Sequence, residues 1–278
     1  MLKKPDKLYF LTAGMPTATG KGSYPEAFDA LRNLDLDGME FEFVHGIKIS
    51  QKSRSFAKEN GKDLLLTAHG PFYINLNSKD ESTTEASVQR IIDTARVGSE
   101  IGAYSITYHA AYYMGKDKET VYQQVKTKTK EILDVLEQEK INLWIRPETT
   151  GKATQWGDFE EIIRLSKEFE QVLPCIDFSH IHARTIGEYN TYDEFAHILD
   201  RIGTELGTFA LENFHAHIAG IEYGDKGERQ HVILKDSDLN YKELLKALKD
   251  FGVKGAVVCE SPNIEIDAQI LKEYYYSL

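Results

Sequence analysis

The stretch Leu64-Leu65-Leu66-Thr67-Ala68-His69-Gly70-Pro71 shows the pattern that decides the fold, a short apolar run that ends in an imidazole and a turn. Bounded apolar runs of this length are typical of fully buried strands. An imidazole or carboxylate stands at or just beyond the end of four similar runs, namely His109, Glu148, Asp177 and Glu260. Because an isolated buried carboxylate is heavily penalised, we expect these five side chains to converge on one place.

Strand candidates and segments of helical period alternate along the whole chain. The strand candidates are residues 8–11, 38–44, 64–68, 104–108, 141–145, 173–178, 208–218 and 255–260. Two helices are expected to begin at the capping-box patterns Ser82 to Glu85 and Thr191 to Glu194. Eight strands, each followed by a helix, predict one α/β domain over residues 1–278, a (β/α)₈ TIM barrel. In such barrels the active site lies at the C-terminal ends of the strands.

Composition and charge narrow the class of protein. The 278 residues include 33 Lys and Arg against 44 Asp and Glu, which gives a net charge of −11. This charge disfavours non-specific association with nucleic acid or anionic membranes. The first residues show no leader-cleavage pattern, so we expect a cytoplasmic protein without membrane association. Cys175 and Cys259 lie in apolar runs and are expected to be buried thiols.

The residue types at the strand ends suit divalent metal ions. Imidazole nitrogen and carboxylate oxygen are suitable ligands for zinc or manganese. Two ions about 3.5–4 Å apart can generate hydroxide at neutral pH and neutralise both the attacking and the leaving oxygen of a phosphodiester. A bridging carboxylate such as Glu148 would set that separation.

The ends of strands 3 to 8 resemble the endonuclease IV family of apurinic/apyrimidinic endonucleases, which are barrels of the xylose isomerase-like group. The most specific stretches are His69 to Asn75 and Ile176-Asp177 with His180, and the resemblance extends over essentially the whole chain. It implies a DNA-repair enzyme that hydrolyses the phosphodiester 5′ to an abasic site. The implied substrate is abasic double-stranded DNA, the implied cofactor is two or three zinc ions, and the expected form is a monomer.

The resemblance also implies the ligands of two metal ions. Those of the first metal are His69, His109 and Glu148. Those of the second are Glu148, Asp177, His215 and Glu260, with Glu148 bridging, and we take Glu148, Asp177 and Glu260 as the catalytic residues. His217 faces the same side of a regular strand as His215 and could ligate instead, although the family spacing favours His215.

A third metal depends on the register after strand 7. The family uses the histidine after the strand-6 aspartate, here His180, and an Asp-x-His pair further along. Counting from His215 puts Glu228 and Gln230 in the pair, whereas a shift of one residue brings in His231. Glutamine is a poor zinc ligand, so we choose His180, Glu228 and His231. The alternative is a two-metal site with His231 hydrogen-bonded nearby.

Phe72 and Tyr73 follow His69 where the family places bulky residues that enter the DNA stack. Aromatic faces can replace the stacking lost with the missing base, so both are predicted to bind DNA. The alternative is that they pack on the barrel rim. His182 is expected to be a polar neighbour of the site, and His45 and His197 to be ordinary surface or loop residues.

A sugar isomerase or epimerase of the same barrel group is the alternative function. Such enzymes hold one divalent ion with a set that this chain would supply as Glu148, Asp177, His215 and Glu260. The imidazoles of His69 and His109 favour the nuclease, because a one-metal sugar enzyme does not require them. The net charge favours a small neutral substrate. A non-catalytic metal-dependent binding protein ranks third.

Overall fold

The computed structural model describes residues 4–20 and 22–278, so residues 1–3, which the leader expectation concerns, lie outside it. In the described chain, eight parallel strands form the predicted barrel. They are β1 (Leu8–Ala13), β2 (Gly38–Glu42), β3 (Leu65–His69), β4 (Ser105–Tyr108), β5 (Trp144–Pro147), β6 (Ile176–Asp177), β7 (Phe214–Ile218) and β8 (Gly255–Cys259). Strand β8 pairs with β1, and the bridges Ile145–Val172 and Glu148–Cys175 join β5 to the β6 segment. These pairings close the barrel.

Helices connect the strands and cover the outside of the barrel. They are α1 (Tyr24–Asn33), α2 (Gln51–Asn60), α3 (Glu81–Ile101), α4 (Lys118–Gln138), α5 (Phe159–Ser166), α6 (Phe178–Arg184), α7 (Tyr192–Leu206), α8 (Thr208–Leu211), α9 (Tyr241–Asp250) and α10 (Glu265–Ser277). Short 3₁₀ helices span Thr17–Thr19 and Leu234–Asp236. No helix in residues 4–20 and 22–278 is long and apolar enough to cross a membrane.

The predicted helix starts are right in one case and wrong in the other. Thr191 caps α7, and its capping box with Glu194 is formed as expected. Helix α3 begins before the predicted box, because the carboxylate of Asp80 accepts a hydrogen bond from the backbone N–H of Thr83. A charged carboxylate at the N-cap outcompetes the hydroxyl two residues later.

The apolar run 208–218 was expected to be one strand, and this is wrong for its first part. Thr208–Leu211 forms the short helix α8, and strand β7 begins only at Phe214. All five residues of β7 pair with the five of β8, from Phe214 beside Gly255 to Ile218 beside Cys259. Strand β7 is therefore as long as its partner β8, and Thr208–Leu211 before it form helix α8.

Two small antiparallel sheets stand beyond the C-terminal ends of the strands. One pairs Ala111–Tyr112 with Gln155–Trp156. The other is a hairpin of Gly220–Gly224 and Gly227–Val232, which directly follows β7. Both add to the rim at which the predicted site residues emerge.

Candidate metal centre

Glu148 lies at the middle of the site, just beyond β5, with only 1% of its surface exposed. Its Oε2 is 3.1 Å from Nε2 of His69, and its Oε1 is 3.1 Å from Nε2 of His109. The same Oε1 is 3.2 Å from Nδ1 of His180 and 3.4 Å from Nδ1 of His217. One buried carboxylate therefore faces four imidazoles, which come from different strand ends.

The first group of possible metal ligands is His69, His109 and Glu148, the three residues that the sequence suggested for the first metal. Nδ1 of His69 lies 2.7 Å from the carbonyl oxygen of Gly70, to which it can donate a hydrogen bond. That bond leaves Nε2 directed toward Glu148. The backbone at the end of β3 thus orients the imidazole into the site.

The second group is Glu148, Asp177, His217 and Glu260. Asp177 ends β6 and caps α6, since its Oδ1 accepts a 2.7 Å hydrogen bond from the backbone N–H of His180. Its other oxygen, Oδ2, has no hydrogen-bond partner within residues 4–20 and 22–278 and lies 3.2 Å from Nδ1 of His180. The capping bond fixes the carboxylate and leaves one oxygen directed into the site.

The two histidines of β7 take different positions from those favoured by the sequence analysis. Both point into the barrel, as their spacing predicts, but His217 is nearer the C-terminal end and its Nδ1 is 3.3 Å from Oε1 of Glu260. His215 lies one layer deeper, where Ser105 and Glu40 contact its two ring nitrogens. The geometry places His217, and not His215, in the four-residue group. His215 instead shares a buried group with Cys175 and His217.

The third group is Asp177, His180 and His231. Oε2 of Glu228 is 3.8 Å from Nε2 of His180, so the three residues chosen for the third metal are neighbours. Gln230 instead donates a hydrogen bond to Glu222, which is exposed on the hairpin. A β-bulge explains the register: Gln230 pairs with Glu222 and Glu228 with Tyr223, which leaves Arg229 as the extra residue. The bulge puts Glu228 and His231 on one face although three positions separate them.

Glu40 and Glu42 on β2 belong to the site, and the sequence analysis did not single them out. Glu40 is fully buried between the rings of His215 and His217. Glu42 lies within reach of Glu40 and Glu260 and lines the cleft above the centre. The signal was present, because two glutamates interrupt an otherwise apolar strand candidate, Gly38 to Val44.

The electrostatics of the site fit a bound cation. Burial raises the pKa of Glu42 to about 8, with Glu40 and Glu260 adding to the rise against the opposing charge of His69. Burial also raises the pKa of Asp177 and of Glu260. Buried atoms that have no hydrogen-bond partner in the described part of the chain face the same space, namely Oε1 of Glu148, Oδ2 of Asp177, Nδ1 of His217 and Nε2 of His231. Such a concentration of unmatched oxygen and nitrogen donors is what a divalent ion requires.

A cleft of about 460 Å³ opens above these groups. Phe72, in the loop after β3, lines this cleft and is 53% exposed, and the next residue, Tyr73, is 50% exposed. The Phe72 ring lies 5.9 Å from the ring of His69, and the guanidinium of Arg90 lies 4.6 Å from the Tyr73 ring. Within the described chain, no lysine or arginine lines the cleft.

Two of the remaining histidines lie outside the three groups, as expected. His182 is fully buried beside the site, and its ring nitrogens face the carbonyl of Tyr189 and the carboxylate of Asp238, both at 3.0 Å. His45 is in the loop after β2, with its ring 6.3 Å from that of Phe72. His182 is therefore a satisfied structural residue.

Comparisons with known proteins identify the group to which this barrel is related. The family described as a xylose isomerase-like TIM barrel matches residues 28–274. An uncharacterized protein of Methanocaldococcus jannaschii is 45% identical over 271 residues, 98% of each chain. A probable endonuclease 4 of Streptomyces avermitilis is 27% identical over 120 residues, 41% of this chain and 39% of its own. The match to this endonuclease thus covers less than half of the chain, not essentially all of it as the sequence analysis expected.

Solved structures of two kinds resemble the whole chain. A D-tagatose 3-epimerase-like protein aligns with a TM-score of 0.73 at 20% identity and covers 96% of this chain and 97% of its own. Endonuclease IV from Thermus thermophilus aligns with a TM-score of 0.69 at 16% identity and covers 98% of this chain and 100% of its own. At these identities both likenesses establish the fold alone, so the choice between the two chemistries depends on the site.

Proposed function

The chain belongs to the xylose isomerase-like TIM barrel family, and within that family we propose that it is a zinc-dependent phosphodiesterase that cleaves DNA at abasic sites. The observation that carries the proposal is the position of Glu148. Its two oxygens face different imidazoles, His69 on one and His109 on the other, while His217 approaches from the second group. A carboxylate shared in this way is suited to bridge two ions.

The donor set supports more than one ion. The second group alone, with Glu148, Asp177, His217 and Glu260, would complete a single site. His69, His109, His180 and His231 add four imidazoles around the same carboxylates, and a single ion could not use them all. Zinc ions in such a centre would supply Lewis-acid chemistry and a strong nucleophile at neutral pH, as phosphoester hydrolysis requires.

The residues themselves would bind and orient the substrate. The carbonyl of Gly70 and the N–H of His180 fix His69 and Asp177, so the donors are held in place before a substrate arrives. The exposed ring of Phe72 lines the cleft and the exposed ring of Tyr73 follows it on the same loop, so both are available to stack in the gap left by a missing base. Because no basic side chain of the described chain lines the cleft, the phosphate would depend on the bound ions for positive charge.

A one-ion sugar epimerase or isomerase is the second candidate. The acidic cleft without lysine or arginine favours a neutral substrate, and the D-tagatose 3-epimerase-like structure has the higher TM-score of the two. The ion would be held by Glu148, Asp177, His217 and Glu260. Under this alternative His69 and His109 would have no catalytic purpose, which is why we rank it second.

An incision assay distinguishes the two candidates. The substrate is a duplex with one tetrahydrofuran abasic analogue, and the proteins are zinc-replenished wild type, EDTA-treated wild type and the double variant Phe72→Ala/Tyr73→Ala. We expect cleavage by wild type, none after chelation, and duplex binding by the double variant that is weaker by about 1–3 kcal/mol per lost stacking contact, with unchanged metal content. Failure of zinc-replenished wild type to cleave, together with epimerisation of a ketose by the same preparation, would establish the second candidate instead.

A further inference from the structure

Glu40 lies beneath the metal groups, where it contacts two histidines of β7. Its Oε1 is 3.0 Å from Nε2 of His217 and its Oε2 is 3.3 Å from Nε2 of His215. The atoms are close, although neither contact has the straight geometry of an ideal hydrogen bond. Glu40 is therefore a fully buried carboxylate that lies between two imidazoles.

A connected row of polar groups runs from the barrel interior to the rim. At its inner end, Oγ of Ser105 is 2.9 Å from Nδ1 of His215. Glu40 then joins the Nε2 atoms of His215 and His217. At the outer end, Nδ1 of His217 lies 3.3 Å from Glu260 and 3.4 Å from Glu148. The two nitrogens of the His217 ring thus have separate partners, one in the interior and one in the site.

We propose that Glu40 is a positioning residue: it holds Nε2 of His217 and thereby directs Nδ1 of the same ring toward the other ligands of the second group. A histidine that ligates a metal generally donates its other N–H to a carboxylate or carbonyl, and this contact fixes both tautomer and ring orientation. Ser105 and His215 in turn hold Glu40 in place. The inference rests on the proposed function only insofar as an ion occupies the second group, which either candidate enzyme requires.

Glu40 could instead be a ligand, since it lies near Glu42 and Glu260. Both of its oxygens, however, are already within 3.3 Å of imidazole nitrogens. A ligand and a positioning residue respond differently to removal. Loss of a ligand removes an ion, whereas loss of a positioning residue weakens the binding of that ion.

The test is zinc titration against a competing chelator, with full-length wild type, Glu40→Ala, Glu40→Gln and the control Glu161→Gln. Glu161 is also a buried glutamate, but it accepts hydrogen bonds from Tyr113 and from the backbone of Gly157, outside the three groups. For Glu40→Ala we expect one ion to bind about 10–100-fold more weakly and any others to bind as in wild type. Glu40→Gln keeps a carbonyl acceptor for Nε2–H and should lose less, while the control should match wild type.

A second readout reports the ring of His217 directly. In zinc-loaded protein with ¹⁵N-labelled histidine, His217 should carry its proton on Nε2, and the signal of that N–H should shift in Glu40→Ala. Ser105→Ala provides a milder change if Glu40→Ala does not fold. It should weaken the same ion by a smaller factor than Glu40→Gln, because the anchor of His215 is removed while Glu40 remains.

Three results would overturn the inference: wild-type zinc affinity in Glu40→Ala, complete loss of one ion in that variant, or equal losses in Glu40→Ala and Glu40→Gln. The first result would mean that Glu40 does not affect zinc binding. The second would mean that Glu40 is itself a ligand. The third would mean that only the negative charge of Glu40 matters, and not its position beside His217. Binding of a single ion by wild type would reject the phosphodiesterase alone, since the effect of Glu40 could still be measured on that ion. Binding of none would reject both.

Discussion

Arg146 and Glu148 stand two residues apart on the same side of the β5 segment, and both are buried, yet their surroundings differ. Arg146 donates hydrogen bonds to the backbone carbonyls of Pro174 and Asn213 and to the hydroxyl of Tyr104. Its guanidinium also lies 5.3 Å from the Tyr104 ring, and among the described residues only its Nε lacks a partner. The buried positive charge of Arg146 is thus compensated by oxygen acceptors that the fold holds in place.

Glu148 has no comparable set of partners within the described chain. Four imidazoles approach it, and its Oε1 has no hydrogen-bond partner among the residues that the structure describes. The buried charges of Arg146 and Glu148 therefore serve two different purposes within one strand segment. The charge of Arg146 is compensated by hydrogen bonds that stabilise the fold. Oε1 of Glu148 and Nδ1 of His217 lack such partners in the described chain, and a bound cation would supply the missing interactions.

Replacing Glu148 should have the largest effect on activity. We expect Glu148→Gln to lower turnover by several orders of magnitude, because the shared carboxylate and the activated nucleophile are lost together. The fold should persist, since Glu148 contributes no side-chain hydrogen bonds to the described core beyond that to His69. Steady-state kinetics, bound-metal content and circular dichroism of the variant measure these effects. A fully metallated and active Glu148→Gln protein would contradict the comparison.

Replacing Arg146 should lower the stability of the fold and leave metal binding unchanged. Arg146→Ala leaves two buried carbonyls without donors and opens a cavity, so we expect the free energy of unfolding to fall by about 3 kcal/mol. Metal content per folded chain should not change. Urea denaturation with parallel metal analysis is the measurement. Loss of metal from a folded Arg146→Ala protein would mean that the two ends of the barrel are not independent.

The hairpin offers the smallest and most specific test. His231→Ala should lower the metal content by about one ion, since imidazole is a good zinc ligand. Gln230→Ala should leave the content unchanged, because that side chain points to Glu222 on the exposed face. The two adjacent residues serve as controls for each other. Metal loss from Gln230→Ala with none from His231→Ala would show that the hairpin register is reversed in solution.

The sequence predicted the barrel because short apolar runs alternate with helical segments along the chain, and five of these runs lead into an imidazole or a carboxylate. The same pattern placed His69, His109, Glu148, Asp177 and Glu260 at one rim. Position along a strand was harder to predict, because His215 and His217 share a face and only the register with β8 shows which of them reaches the rim. The length of β7 depends on the same pairing.

Other details depend on structure that the sequence does not encode locally. Counting along the sequence could not choose between Gln230 and His231, because a bulge at Arg229 reverses the alternation of side chains in the hairpin. The sequence shows that Glu40 and Glu42 interrupt an apolar strand, but the role of Glu40 depends on its contacts with two histidines of β7. These contacts join residues about 175 positions apart in the chain, so only the closed barrel brings them together.

The number of metal ions per chain tests the central claim most directly. Purified wild-type protein, saturated with zinc and freed of excess metal, should be measured by elemental analysis against protein concentration. Because Glu148 lies in both the first and the second group, we expect at least two ions per chain. The third group, Asp177, His180 and His231, predicts a third ion. A value of one or less under these conditions would contradict the bridging role of Glu148 and favour the one-ion sugar enzyme.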